Sequence, residues 1–408
     1  ISRFMPLQKQ TRYKLAQWEI HDYSSHSKQS VAHALAKDFQ ALYLRRTWSK
    51  KKTPIYAHCF LLPNGQTELQ VGIPHMVSDQ QSLDIFFKNL SEAYLACLNE
   101  RPPKHSIESM SFVRYAINEI EKINASMTKD HAFWARYFED SALIQFDKAH
   151  VVADMAQNSY SSYFEITQKQ VKAWQHFCVT HKVSMTSLIS AASTLALESL
   201  NQCCLPARGI FINTVKSTRE EAVHDNAIGC FLGTQPIHLD LNQAKDIISL
   251  AQKAQDALNE TAPHAHAPSL IKIASIGQLK SASRRLGPML IKLFSLLLTP
   301  IKTRPYLLSP AMLNACHRLA ALDNNQQGFL LNINIWQNFF SQPKPSTLFE
   351  KPCIPTEGKE ELSVIQNVLD VCIMKCEESQ NTFLVLSANL VPEFREALGQ
   401  KIIQLLAE

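Results

Sequence analysis

Pro74-His75-Met76-Val77-Ser78-Asp79-Gln80-Gln81-Ser82 joins a run with strand alternation to a run with helical spacing. Upstream, Asn64-Gly65 separates two apolar runs, and this dipeptide is a strong signal for a β-hairpin. Side chains alternate along a strand, so His75 shares the face of the apolar residues in 69–73 and is expected to point inward. Downstream, apolar residues recur at helical spacing and predict a core-packed helix from near Ser82. A histidine at a strand end, with a carboxylate four residues later, suits a general base held by its own loop.

His75 and Asp79 each have a structural interpretation beside the functional one. A histidine that points inward from a strand end can be a hydrogen-bonded core residue. A carboxylate just before a helix can cap the free N–H groups of its first turn, here at Ser82. For Asp79, a cap and a role in a functional site are compatible. We therefore take His75 as the candidate general base and Asp79 as a candidate structural residue of the same site.

The composition is that of a packed globular protein rather than a disordered one. Of 408 residues, 46% are hydrophobic and 19% are charged. The ten cysteines show no paired spacing of the zinc-ligand type, and Cys372 and Cys376 lie in an apolar, strand-like stretch that favours packing. His264 and His266 have no helical periodicity and no adjacent Cys, Asp or Glu, which favours a solvated loop over a metal site. We expect no metal, no disulfide and a cytoplasmic location.

The basic residues are unevenly distributed. The formal net charge is +5, yet residues 261–322 contain eight Lys or Arg and no acid. The segment 271–305 is therefore a candidate contact for an acidic carrier protein, the phosphates of coenzyme A or an anionic membrane surface. It lacks the interleaved aromatic residues of a nucleic-acid site. The alternative is a solvated face beside a buried helix over 289–298, which is too short to span a bilayer.

Strands and helices alternate along the chain, so the predicted class is mixed α/β. The pattern weakens around 147–157, and we place a lobe boundary there, giving lobes 1–150 and 151–408. Thr167 and Gln170 form a capping-box signature before a helix. Further helices are predicted over 31–44, 110–138, 185–200, 245–258 and 392–407, and strands over 159–166, 209–215, 231–239, 329–335 and 382–386.

Residues 69–94 resemble the active-site segment of nonribosomal-peptide condensation domains, whose usual motif is His-His-x-x-x-Asp-Gly. Further resemblances follow in the family's order, at 134–138, 183–200, 210–215, 226–236 and 383–405. The resemblance covers nearly the whole chain apart from a leading family segment, and the chain starts at Ile1 without a methionine, so we expect an incomplete N-terminus. It implies a chloramphenicol-acetyltransferase-like fold, a two-lobe pseudo-dimer with mixed sheets, flanking helices and an active-site tunnel between the lobes.

The chain departs from the family pattern at three places. Pro74 replaces the first motif histidine, and the second, His75, is the one that faces the reaction centre in the family. Gln80 replaces the motif glycine, and its larger side chain narrows the site or requires a different acceptor. Trp336 lies where the plant branch of the superfamily has another loop signature. The resemblance assigns six residues to the lining of the tunnel: Pro74, Gln80, Ser82, Thr214, Gly229 and Trp336.

The resemblance also implies a mechanism. His75 would remove a proton from an alcohol or amine that attacks an acyl thioester, and Asp79 would pair with an arginine, for which Arg219 is the candidate. Ser82 and Thr214 are candidate donors to the developing oxyanion. The donor would be an acyl group on coenzyme A or on a carrier protein, and acyl transfer implies no cofactor. We expect a monomer that acts in secondary metabolism. The alternative is a catalytically silent condensation-like domain that binds a carrier protein or another partner.

Overall fold

The chain forms two compact units in a computed structural model. The first unit contains Ile1–Ala116 and Arg219–Phe231, and the second contains Ile117–Thr218 and Leu232–Glu408. These limits differ from the predicted lobes 1–150 and 151–408, which stay a prediction. The residues that the structure describes are 17–44, 55–73, 77–102, 112–152, 161–219, 226–242, 246–267, 272, 326–335, 368–375 and 381–407.

The first unit is built on a three-stranded sheet. Its elements are β1 (Gln17–Asp22), α1 (Lys28–Leu44), β2 (Tyr56–Leu61), β3 (Thr67–Gly72) and α2 (Gln80–Leu98). β1 is parallel to β2, and β2 is antiparallel to β3. The hairpin predicted at Asn64-Gly65 is present, and Gly65 has a φ of +77°, a conformation that glycine adopts without steric cost. The predicted helix is confirmed as α2, and it begins two residues before Ser82 because Asp79 caps it.

Within the described residues, the second unit contains a mixed sheet of nine strands. Its elements are α3 (Phe112–Tyr137, which begins in the first unit), β4 (Ile144–Asp147), β5 (Ser161–Ile166), α4 (Gln168–His181), α5 (Met185–Leu200), β6 (Cys203–Cys204), β7 (Ile210–Ser217), β8 (Leu232–Thr234), β9 (Ile237–Leu239), α6 (Ile247–Thr261), β10 (Gln326–Ile335), β11 (Val368–Lys375), β12 (Thr382–Ser387) and α7 (Pro392–Leu405). β10 lies at the centre, parallel to β7 and β11 and antiparallel to β4.

The core of the second unit lies between this sheet and its helices. α5 is buried along almost its whole length, and residues such as Leu188 and Ile189 are at most 1% exposed. The capping box predicted at Thr167 and Gln170 begins α4. Burial of this many apolar side chains is the main force that stabilises the unit. No single helix among the described residues is long and apolar enough to cross a bilayer; α4 and α5 reach that threshold only together, with a bend of 105° between them.

The predicted strand 231–239 is two short strands, β8 and β9, both paired with β7. The break falls at Gln235 and Pro236, where proline has no N–H to continue the ladder. The predicted helix 289–298 lies outside the described residues. The mixed α/β class, with mixed sheets and flanking helices, is confirmed.

Candidate functional site

Asp79 lies just before α2 and is 5% exposed. Its Oδ1 accepts hydrogen bonds from the backbone N–H of Ser82 at 2.8 Å and from Nη2 of Arg219 at 2.9 Å. Its Oδ2 accepts from Nε of Arg219 at 3.3 Å and from the backbone N–H of Phe231 at 3.1 Å. The helix cap expected from the sequence and the ion pair implied by the family resemblance therefore both form, on one carboxylate.

The environment of Asp79 keeps it ionised. Burial on its own raises the pKa of a carboxyl group, because the charged form loses its hydration. Here the hydrogen bonds from Arg219 and Ser82, together with the guanidinium charge, outweigh burial and hold the pKa of Asp79 below its ordinary value. Both oxygens are already engaged by donors of the protein, so this carboxylate is suited to anchor the chain rather than to accept a proton.

The hydroxyl of Ser82 joins α2 to the segment 219–231. Its Oγ lies 2.6 Å from Oδ1 of Asp79 and 2.7 Å from the carbonyl oxygen of Gly229. A hydroxyl has one hydrogen, so it donates to one of these acceptors at a time. The same oxygen accepts from the backbone N–H of Gly229 at 3.0 Å and from Nη2 of Arg219 at 3.1 Å.

Thr214 lies on β7 in the second unit and is 2% exposed. Its hydroxyl donates to the backbone carbonyl of Gln235. The oxyanion role expected for Ser82 and Thr214 finds no support here, because each hydroxyl hydrogen already has an acceptor within the protein.

Arg219 does more than neutralise Asp79. Its Nη1 donates to the carbonyl oxygen of Ala227 at 2.9 Å, and its guanidinium carbon lies 4.0 Å from the centre of the Phe231 ring. Stacking of this kind favours a delocalised cation over an ammonium group. The side chain of Arg219 is 3% exposed. A single arginine therefore holds both the carboxylate of Asp79 and the backbone at Ala227.

Gly229 is glycine because of close packing rather than backbone conformation. A Cβ placed on it would lie 2.0 Å from a ring carbon of Phe112. Phe112 belongs to a small aromatic cluster with Tyr115 and Phe231. Gly229 thus lets an aromatic ring pack directly against the backbone that contacts Ser82.

The remaining predicted site residues are less informative. Gln80, the first residue of α2, is half-buried. Pro74, His75 and Trp336 lie outside the described residues. Of the predicted set, the structure brings together Asp79, Ser82, Arg219 and Gly229, while Thr214 lies in the other unit.

A second polar cluster, which was not predicted from the sequence, joins α3 to the segment 262–267. Nδ1 of His264 lies 2.6 Å from Oδ1 of Asp130, and Nδ1 of His266 lies 2.6 Å from Oε1 of Glu119. The expectation of a solvated loop is therefore wrong, and His264 is only 8% exposed. One signal was available: Glu119 and Asp130 are eleven residues apart, about three helical turns, and so share a face of α3.

Lys272 is buried in the second unit, with 1% of its surface exposed. Its Nζ donates to the backbone carbonyls of Thr234 and Ala265. Burial, with a smaller contribution from the charge of Lys216, lowers the pKa of Lys272 to about 7. Lys272 therefore adds nothing to a solvent-facing basic surface, contrary to the expectation for 271–305. The other basic residues of 261–322 lie outside the described residues.

Comparison with known sequences gives one family and one curated relative. A family model described as a condensation domain matches residues 3–295. The FR901469 synthetase of Dothideomycetidae sp. (strain 11243) is 24% identical over an alignment of 302 residues, which covers 70% of this chain and 2% of that protein. The chain thus corresponds to a small fraction of this relative's length.

Comparison with solved structures confirms the predicted fold. The first condensation domain of the CDA synthetase has a TM-score of 0.56 at 12% identity and covers 99% of this chain and 78% of that chain. The X-domain from teicoplanin biosynthesis has a TM-score of 0.60 at 15% identity, and the match covers 96% of this chain and 78% of that chain. The same X-domain in complex with OxyB is also similar. At such identities the likeness establishes the fold alone.

Proposed function

Because the chain belongs to the condensation-domain family, we propose that it transfers an acyl group from a phosphopantetheine thioester to an alcohol or amine. His75 would take the proton of the acceptor as its oxygen or nitrogen attacks the thioester carbonyl. The new ester or amide bond forms as the carbon–sulfur bond breaks, and the leaving thiolate recovers the proton from His75. Coenzyme A or a carrier protein would carry the donor, and the reaction needs no further cofactor.

The anchoring of Asp79 is the observation that carries this proposal. A general base must be held within a narrow range of positions, and supporting residues do this best when their own side chains are locked. Asp79 is four residues after His75 and is held by Arg219, by Ser82 and by the backbone of Phe231. Since the lowered pKa of Asp79 makes it a weak base, the proton transfer is assigned to His75.

A second candidate function is a catalytically silent domain that binds a carrier protein or another partner. Gln80 favours it, because a half-buried glutamine stands where the family motif has glycine. The fold is compatible with this function, because the X-domain from teicoplanin biosynthesis has the same fold and forms a complex with OxyB. In this case His75 would be a structural residue.

The test is product formation from a panel of acyl-coenzyme A and acyl-carrier donors with amine and alcohol acceptors, followed by mass spectrometry. The His75→Ala variant should lower turnover by roughly 10²–10⁴-fold with little change in donor binding. The rate should rise with pH as His75 loses its proton, because only the neutral imidazole can accept the proton of the acceptor. His176→Ala, which removes an exposed histidine of α4, is the matched control and should leave turnover unchanged.

Two other results would point elsewhere. A wild-type protein that binds carrier protein without turnover, and still binds it after His75→Ala, supports the silent domain. Turnover that is the same in wild type and His75→Ala overturns the assignment of His75 as the base.

A further inference from the structure

Three potential metal ligands lie together on one face of the sheet in the first unit. Glu19 and His21 are two residues apart on β1, and His58 is the register partner of Glu19 on β2. Nε2 of His58 lies 3.7 Å from Oε2 of Glu19, and Nε2 of His21 lies 3.8 Å from the same oxygen. The three ligand atoms all lie within 4.8 Å of one another.

The orientation of His58 is set by a carboxylate behind it. Its Nδ1 lies 2.8 Å from Oδ2 of Asp38 on α1. This contact fixes the ring and leaves Nε2 as the ring nitrogen near Glu19. At 3.7 Å, Nε2 of His58 and Oε2 of Glu19 are too far apart for a hydrogen bond but close enough to bind one cation together.

His21 supplies an independent indication of a ligand. Its Nε2 is buried and has no hydrogen-bond partner among the described residues. A buried polar atom without a partner destabilises the fold because it has lost its hydration, so such atoms are rare unless something binds them. The ring of His21 stacks on Phe60 at a centroid distance of 5.0 Å. The unsatisfied nitrogen lies 3.8 Å from Oε2 of Glu19.

We propose that Glu19, His21 and His58 bind a divalent transition metal, for which Zn²⁺ is the best match. Zn²⁺ binds imidazole nitrogen and carboxylate oxygen at about 2.0–2.2 Å, which places neighbouring tetrahedral ligands about 3.3–3.5 Å apart. The observed 3.7 and 3.8 Å reach that range with small side-chain rotations. Imidazole ligands disfavour Mg²⁺ and Ca²⁺, which prefer oxygen.

The surroundings of the site agree with this assignment. A metal-binding histidine commonly has a carboxylate hydrogen-bonded to its other ring nitrogen. Asp38 is in this position relative to His58. The side chain of Glu19 is 49% exposed, so a fourth position is open to water. The metal would link the parallel strands β1 and β2, whose ligands are 39 residues apart in the chain. Closing such a loop stabilises the folded unit.

The test uses Zn²⁺ alone, added to chelator-treated protein in competition with a chromophoric chelator, with thermal unfolding measured in parallel. Wild type should bind one Zn²⁺ tightly and melt at a higher temperature with it. His58→Ala and His21→Ala should abolish this binding, and Asp38→Asn should weaken it by about 10–100-fold. His33→Ala, which removes an exposed histidine of α1, should change nothing.

A variant that preserves the fold keeps the test decisive. Glu19→Gln keeps the shape of an exposed side chain, so the metal-free protein should melt as wild type does while Zn²⁺ binding weakens. Absence of tight Zn²⁺ binding by wild type overturns the proposal. Equal affinity in wild type, His58→Ala and Glu19→Gln also overturns it, because the ion would then be held by other residues.

Discussion

Asp79 in the first unit and Asp370 in the second have pKa values displaced in opposite directions. Asp370 lies on β11, where Nδ2 of Asn332 donates to its Oδ1. Burial raises the pKa of Asp370 to about 6, and the hydrogen bond from Asn332 only partly opposes it. Burial acts in the same direction on Asp79, but Arg219 reverses the outcome. The ionised form of Asp79 stabilises the fold at neutral pH because Arg219 is next to it. The ionised form of Asp370, which has an amide as its neighbour, lowers stability there.

The two carboxylates predict opposite slopes of stability against pH. The pKa of Asp79 is lower in the folded protein than in the unfolded chain, so its contribution is present above about pH 4 and is lost as the pH falls. The pKa of Asp370 is raised on folding, so its contribution is fullest below about pH 4. That contribution is lost as the pH rises through about 6.

The largest expected effect comes from removing the arginine. Arg219→Met leaves the charge of Asp79 buried without its cation, which should lower the free energy of unfolding at pH 7 by about 3–5 kcal/mol. Urea unfolding measures this change. Arg208→Met is the matched control: Arg208 pairs with Asp140 at 2.8 Å, but the two side chains are 79% and 58% exposed, so a change below about 1 kcal/mol is expected. If Arg219→Met and Arg208→Met lost the same free energy of unfolding, Arg219 would not be what makes Asp79 differ from Asp370.

A smaller effect of opposite sign is expected at Asp370. Asp370→Asn keeps the size of the side chain and removes the charge, so the variant should be more stable than wild type above pH 6. The gain is at most about 1.4 kcal/mol for every tenfold increase in the proton affinity of Asp370 on folding. Urea unfolding at pH 4 and pH 7.5 should show the gain only at the higher pH. Asp256→Asn, at an exposed position of α6, is the control. A loss of stability in Asp370→Asn at pH 7.5 would show that the charge is favourable.

Local signals in the sequence predicted local structure well. Asn64-Gly65 predicted the hairpin, Thr167 and Gln170 predicted the cap of α4, and the bounds 185–200 agree with α5. Each of these rests on interactions between residues close together in the chain. The pair of Asp79 and Arg219, 140 residues apart, was expected only because the chain resembles a known family.

Contacts between distant segments explain what the sequence analysis missed. His264 and Asp130 are 134 residues apart. The spacing of Glu119 and Asp130 places them on one face of α3, but nothing in the sequence indicates that His264 packs against that face. Glu19 and His58 meet because β1 and β2 are parallel and in a particular register, which alternation along each strand leaves open. The burial of Lys272 likewise depends on carbonyls of two other segments. These sites depend on contacts between residues that are far apart in the chain, which local secondary-structure propensity does not predict.

We propose that Asp79 supports His75 by anchoring the chain and does not touch the substrate. The most direct test measures the free energy of unfolding and the acyl-transfer rate of Asp79→Ala in the same preparation. Loss of a buried partner of Arg219 should lower the unfolding free energy by about 3–5 kcal/mol, and turnover should fall with it. A variant that loses turnover while its unfolding free energy stays at the wild-type value would contradict the claim, because Asp79 would then act on the reaction itself.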